Sequence, residues 1–161
     1  MAFPPAARNY LLKALTGNPA VLAKLLEGIA SNDPIWDQRP DPERFTLREV
    51  LAHWADWEPI WKGRFERLRD EDNPLLESID EGQLVIDNDY ANQDPIANVQ
   101  RFAEGRVELV ALLASLNDSD WDRPGHREFV GDITILSLAT LILSHDGYHM
   151  HLVVQWLDAS A

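Results

Sequence analysis

The sequence predicts an all-α protein, and more specifically a four-helix bundle. Four long segments of the 161-residue chain carry apolar side chains at helical spacing. Only one short run, residues 83–86, has the composition of a strand. Hydrophobic residues make up 45% of the chain and include six tryptophans, which is enough apolar surface for one core. We therefore expect residues 1–161 to form a single domain of four packed amphipathic helices.

Capping and breaking residues predict where the helices begin and end. Residues 6–29 are predicted as two helical pieces that Gly17-Asn18-Pro19 separates. Thr46-Leu47-Arg48-Glu49 has the form of a capping box, and it begins a second helix that ends near Arg69. Two further helices and the loop between them follow in the order 95–116, 117–132 and 134–157.

The connections between the helices predict their directions. A helix of about 24 residues is roughly 36 Å long, and the link over 70–94 is long enough to run back along it. A crossover of this kind makes the second and third helices parallel. The shorter links favour antiparallel pairs at the two ends of the chain, so the second and fourth helices are expected to be antiparallel.

The overall charge excludes two classes of partner. With 14 Lys and Arg against 27 Asp and Glu, the formal net charge is −13. The chain has no basic stripe for nucleic-acid phosphates, and an anionic membrane surface would repel it. The absence of Cys excludes disulfides, thiolate metal sites and a cysteine nucleophile. Since no signal peptide or membrane span is readable, we expect a soluble cytoplasmic protein.

Two of the five histidines lie one helical turn apart in the fourth predicted helix. His145 and His149 share the apolar stripe that faces the core. Each buried imidazole needs partners for its ring nitrogens. The pair therefore indicates either a shared metal ion or hydrogen bonds to Asp, Tyr or backbone groups.

A third histidine comes into the same layer. His53 of the second helix and His149 lie about 10 and 12 Å from the same end of an antiparallel pair. With His145 they make a set of three imidazoles, which suits Zn²⁺, Ni²⁺ or Fe²⁺ and leaves coordination positions open. A hydrogen-bonded cluster without metal is the alternative. His126, before the fourth helix, and His151, on its far side, are expected outside this set.

Four further side chains are candidates for supporting roles. Asp56 and Glu58 follow His53, and they either orient its imidazole or lie on the surface. Tyr90, near the end of the crossover, either donates to a metal-bound species or only packs. Asp146 is expected to be solvated or to pair two helices, and a role at the metal is the alternative.

The acidic residues are concentrated in the crossover. Residues 70–94 hold nine of the 27 acids and no Lys or Arg. The predicted geometry carries the end of this segment towards the histidines. We therefore expect Asp87, Asp89 and Asp94 either to disfavour anionic substrates at the site or to belong to a solvated strap.

Three segments together resemble the DinB/YfiT-like superfamily of metal-binding four-helix bundles. They are Thr46–His53 with Asp56 and Glu58, Trp121–His126 with Gly131, and His145-Asp146-Gly147-Tyr148-His149. The resemblance covers about residues 8–157. It implies an up-down-down-up bundle with a crossover between the second and third helices. It also implies a metal held by His53, His145 and His149.

The resemblance implies functions as well, because the family includes transferases and isomerases that use low-molecular-weight thiols. The first hypothesis is a metal-dependent S-transferase or hydrolase that acts on a small molecule. Any thiol would come from a cosubstrate, since the chain has no Cys. The alternative is a stress-associated binding or structural bundle with a structural or vestigial metal. The apolar-rich first hairpin is compatible with a homodimer.

Overall fold

Four long helices dominate the computed structural model, which describes residues 4–39 and 41–159. The long helices are Pro5–Leu25 (α1), Leu47–Asp70 (α2), Pro95–Ala114 (α4) and Ile135–Ala159 (α5), and a short helix, Glu81–Asp87 (α3), lies between α2 and α4. The predicted mainly helical architecture is confirmed. Residues 1–3, part of the segment read for a signal peptide, lie outside the described residues. No described helix is both long and apolar enough to cross a membrane.

The α2 helix begins at the predicted capping box. The Thr46 side chain accepts a hydrogen bond from the Glu49 amide at 3.2 Å, and the Glu49 carboxylate accepts one from the Thr46 amide at 2.7 Å. These two bonds satisfy donors that the first helical turn would otherwise leave free. They fix the start of the helix, and so the height at which His53 enters the core.

The predicted break in the first helix is wrong, because α1 runs through residues 17–19. Pro19 has no N–H to donate to the Leu15 carbonyl four residues back. Arg106 of α4 donates instead, with its Nη1 3.2 Å from the Leu15 oxygen. Leu15 and Leu22 are fully buried on either side of the proline. Burial of two leucines offsets the roughly 3 kcal/mol that an interior proline costs.

The run over 83–86 is helical rather than extended, and three short strands occur elsewhere. Asp80 caps α3, since its carboxylate accepts a hydrogen bond from the Gln83 amide at 3.0 Å. A short apolar run does not distinguish strand from helix, so the cap decides.

The strands are Leu75–Leu76 (β1), Pro124–Arg127 (β2) and Gly131–Thr134 (β3). The central β2 pairs parallel with β1 and antiparallel with β3.

A glycine allows α4 to approach α2 closely. A Cβ atom on Gly105 would lie 2.5 Å from the Cβ of Glu58, well inside van der Waals contact. Near this contact, the rings of Trp54 and Phe102 stack with centroids 4.8 Å apart. The close approach places Arg106, the residue after the glycine, in the core beside Glu58.

Replacing Gly105 by alanine is expected to lower the free energy of unfolding by about 1–3 kcal/mol, the usual cost of overpacking a core. The added methyl group meets the first side-chain carbon of Glu58, which has no rotamer that removes it. Gly63→Ala in α2 is the matched control, because nothing lies within 4 Å of its Cβ position. This control is expected to stabilise by up to about 1 kcal/mol. Urea unfolding of both variants measures the difference, and equal effects would contradict the packing argument.

Candidate metal centre

Three imidazoles meet in the core between α2 and α5. The Nε2 atom of His145 lies 3.3 Å from that of His53 and 2.9 Å from that of His149. One ligand atom from each residue can be chosen so that all three lie within 4.8 Å of one another. The i, i+4 spacing of the two α5 histidines and the height of His53 in α2 produce this convergence.

Burial keeps the three rings neutral. His53 is 3% exposed and His149 is 5% exposed. Burial, with repulsion from neighbouring histidines, lowers the pKa of His53 to about 3 and that of His149 to about 2. Burial also lowers the pKa of His145 to about 4. Neutral rings have the free lone pairs that a metal ligand requires.

The cluster fits a divalent metal ion. Each Nε2 atom carries either one hydrogen or one lone pair, so hydrogen bonding satisfies only one of the two contacts that His145 makes. Nitrogen ligands at about 2.05 Å from an ion are about 2.9 Å apart at a right angle and about 3.3 Å apart at a tetrahedral angle. The Nδ1 atoms of His145 and His149 are buried without a hydrogen-bond partner among the described residues. With hydrogens on Nδ1, the Nε2 lone pairs face one another.

A cavity of about 290 Å³ opens onto the cluster. The three histidines form part of its wall together with apolar and charged side chains, namely Phe45, Tyr148, Leu152, Glu43, Arg44 and Glu81. The volume is close to the lower end of the range for sites that bind small molecules. The arrangement can therefore hold a small molecule beside the imidazoles.

A buried ion network lies directly behind His145. Arg106 is 1% exposed, and all five of its N–H groups have acceptors. Its guanidinium binds Glu58 at 2.7 and 3.0 Å and Asp146 at 2.5 and 3.0 Å. Asp146 also accepts hydrogen bonds from the Trp54 indole at 2.9 Å and from Asn18 at 2.6 Å. The network joins α1, α2, α4 and α5 at the height of the cluster.

The network corrects two sequence-based alternatives. Asp146 is completely buried, so a solvated position is wrong, whereas helix pairing describes its contacts. Glu58 is 1% exposed and binds Arg106 rather than the imidazole of His53. Burial raises the pKa of Glu58, and Arg106 opposes that rise. Arg106 itself was missed by the sequence analysis, because an arginine in an amphipathic helix is typical of a solvated face.

Tyr90 and Asp56 form a separate buried group. Asp56 accepts hydrogen bonds from Asn88 at 2.7 Å and from Arg101 at 2.5 Å. The Tyr90 ring packs edge-on to Phe45 at 6.5 Å, and Phe45 in turn lies 5.6 Å from the His53 ring. Burial, together with the Asp56 carboxylate, raises the pKa of Tyr90. Tyr90 and Asp56 do not line the cavity in the described part of the chain, whereas Phe45 does.

The other two histidines and the named acidic residues lie away from the cluster. His126 contacts Asp132 on the exposed hairpin at 2.9 Å, and His151 is exposed. The carboxylates of Asp87, Asp89 and Asp94 accept local hydrogen bonds in the crossover, from Gln83, Asn92 and the Ala97 amide. Glu81 of α3 is instead the acidic crossover residue that lines the cavity.

A helical bundle that gathers three imidazoles beside a cavity, two of them buried and one half-buried, is the arrangement expected of a metal-binding bundle protein. The chain belongs to the DinB superfamily, because the sequence model of that superfamily matches residues 14–153. No curated protein sequence matches the chain.

A solved structure has the same fold as this chain. YfiT from Bacillus subtilis, described as a probable metal-dependent hydrolase with an unusual four-helix bundle topology, superimposes with a TM-score of 0.90. The match covers 99% of this chain and 90% of that chain, at 21% sequence identity. At this identity the likeness is evidence for the fold.

Proposed function

We propose that the protein is a metal-dependent hydrolase of a small molecule, with His53, His145 and His149 as the metal ligands. The observation that carries the proposal is the convergence of three neutral imidazoles, two of them buried and one half-buried, with Nε2 separations that suit one ion. When bound there, Zn²⁺, Ni²⁺ or Fe²⁺ would polarise a substrate oxygen and lower the pKa of a water molecule. The description of YfiT as a probable metal-dependent hydrolase agrees with this chemistry.

The chain's own residues would hold and shield this site. Phe45 and Leu152 supply apolar walls that limit the access of water to the imidazoles. Asp146 and Glu58 act through Arg106 as positioning residues that fix α5 against α2. We assign Tyr90 and Asp56 the same kind of role, because Tyr90 packs against Phe45, which contacts the His53 ring.

We also propose the up-down-down-up topology with its crossover between α2 and α4. Two pairs support parallel α2 and α4: Asp56 binds Arg101, and farther along both helices Lys62 binds Glu108. The residue numbers of both partners increase together, as they do between parallel helices. The link that contains β1 and α3 then returns the chain to the starting end.

The metal site makes a direct prediction. Wild-type protein purified without a histidine tag is expected to bind Zn²⁺, Ni²⁺ or Fe²⁺ at one ion per chain. His149→Ala is expected to bind the metal at least about tenfold more weakly. Replacing a residue that only hydrogen-bonds to a metal ligand already lowers metal affinity by this factor, and His149→Ala removes a ligand itself. His151→Ala, an exposed change on the same helix, is the control and should keep the metal. Elemental analysis showing equal, near-zero metal in wild type and His149→Ala would overturn the proposal.

Activity assays separate the chemical alternatives. Hydrolysis of a small ester or amide that chelation abolishes and added metal restores is the expected result. The transferase prediction from the family resemblance requires turnover that depends on an added low-molecular-weight thiol. A structural or vestigial metal requires instead that chelation lowers the melting temperature while small-molecule binding stays unchanged.

A further inference from the structure

Two arginines lie beside the histidine cluster and are not used by the proposed metal site. Trp61 of α2 contacts the cluster on one side, with its ring 6.0 Å from that of His145. The Cζ atom of Arg64 lies 5.1 Å from the centre of the same Trp61 ring, and that of Arg127 lies 5.7 Å from it. One indole therefore connects both guanidinium groups to the imidazoles.

The sheet directs Arg127 towards α2. Gly125 and Arg127 are two residues apart on β2, so their side-chain positions face the same side. At Gly125 that side is packed on α2, since a Cβ there would lie 2.3 Å from a methyl carbon of Leu68. Arg127, two residues further along β2 than Gly125, consequently lies over the Trp61 ring.

Two buried donors in this region lack hydrogen-bond acceptors among the described residues. Arg64 is 6% exposed, and its Nη2 donates to the Glu77 carbonyl at 3.0 Å. Its Nη1 is buried with no hydrogen-bond partner among the described residues. The indole Nε1 of Trp57, a ring over which Arg64 lies at 5.3 Å, is also buried without one. The Arg127 guanidinium makes no ion pair within residues 4–39 and 41–159.

Unpaired positive charge in this position is costly. Burial, and then the charge of Arg127, lowers the pKa of Arg64 to about 10. The carboxylates of Glu77 and Glu81 offset part of this repulsion without forming ion pairs to either arginine. An oxyanion with several lone pairs would satisfy the free donors and relieve the repulsion, and guanidinium groups bind such anions in a bidentate manner.

We propose that Arg64 and Arg127 form an oxyanion subsite beside the histidine cluster, which binds a carboxylate or phosphate group of the substrate. The inference deepens the proposed hydrolase function, because it assigns the substrate a negatively charged group. It also revises the expectation that the acidic crossover disfavours anions. Asp87, Asp89 and Asp94 bond locally, and only Glu81 of that segment lines the cavity. The Glu81 carboxylate attracts the charges of Arg64 and Arg127 without pairing with either.

The subsite is tested on metal-free protein, so that the result is independent of the metal. Inorganic phosphate and succinate are titrated while tryptophan fluorescence is followed, because both guanidinium groups contact Trp61. Uncharged succinamide is the matched neutral probe and should not bind. The tighter of the two anions identifies whether the site prefers phosphate or carboxylate.

Variants locate the binding. Arg127→Gln is expected to weaken the preferred anion about tenfold, the usual effect of losing a charged hydrogen-bond donor. Arg64→Lys keeps the charge, loses the forked geometry and should also weaken binding, which provides a second test if one variant is unstable. Arg69→Gln in α2 removes an exposed charge paired with Asp70 and should change nothing. Glu81→Gln should tighten binding.

The outcomes distinguish this inference from the proposed function. Absence of saturable binding to wild type, or equal affinities of Arg127→Gln and Arg69→Gln, would overturn the subsite. Metal content of Arg127→Gln should equal that of wild type. Phosphate binding to a protein that takes up no metal would support the subsite and reject the metal-dependent hydrolase. Metal uptake without anion binding would support the metal site and reject the subsite.

Discussion

Replacing Arg106 by methionine is expected to lower the free energy of unfolding by about 3–5 kcal/mol, the cost of removing one partner from a buried ion pair. Methionine fills much of the space but donates no hydrogen bond. Glu58 and Asp146 would then be two buried carboxylates with no cation between them. The Leu15 carbonyl, already without the proline's N–H, would lose its donor as well.

Urea unfolding at neutral pH measures this effect against two comparisons. Lys62→Met removes an exposed pair with Glu108 and should leave the free energy of unfolding nearly unchanged, because water screens such a pair. Adding Glu58→Gln to Arg106→Met should recover part of the loss, because it removes one of the two unpaired charges. Asp146 keeps its bonds to Trp54 and Asn18 in both variants. A loss below 1 kcal/mol for Arg106→Met would show that the network does not stabilise the bundle.

The Arg106 network also shows where prediction from the sequence stops. The α2, α4 and α5 helices were predictable because apolar spacing and the Thr46 capping box are local signals, found within a few residues of one another. The position of Pro19 inside α1 was not, because its missing hydrogen bond is replaced by Arg106, 87 positions along the chain from it. Local rules describe the cost of a proline and contain no information about a distant donor.

The same distinction applies to the candidate site. His145 and His149 form a local i, i+4 pattern, and a helix-height argument was enough to bring His53 to them. Arg64 and Arg127 carry no such pattern. Their relation arises because β2 packs on α2, and the sequence predicted β2 as loop. Residues that meet because a short sheet packs on a helix are therefore what the structure adds to the sequence-based prediction.

The metal-free protein is expected to lose up to about 4 kcal/mol of stability between pH 7.5 and pH 5.5. In the folded state burial lowers the pKa of each clustered histidine to about 4 or below. In the unfolded state the same groups titrate near 6.5. The unfolded state therefore binds more protons in this window, so stability falls as the pH falls. Each imidazole contributes roughly 1.4 kcal/mol over the two pH units.

A comparison of variants isolates this contribution from that of the carboxylates. His149→Gln removes one of the three titrating groups, so its loss of stability between pH 7.5 and pH 5.5 should be smaller by about a third. His53→Gln should give a similar reduction. Glu58, whose pKa is raised by burial, contributes in the opposite sense, yet it is present in all three proteins and cancels in the difference. Identical pH dependence in wild type and both variants, measured by urea unfolding in the presence of a chelator, would mean that the imidazoles take up protons without unfolding. The cluster would then be open to water, which contradicts the burial on which the neutral ligand set depends.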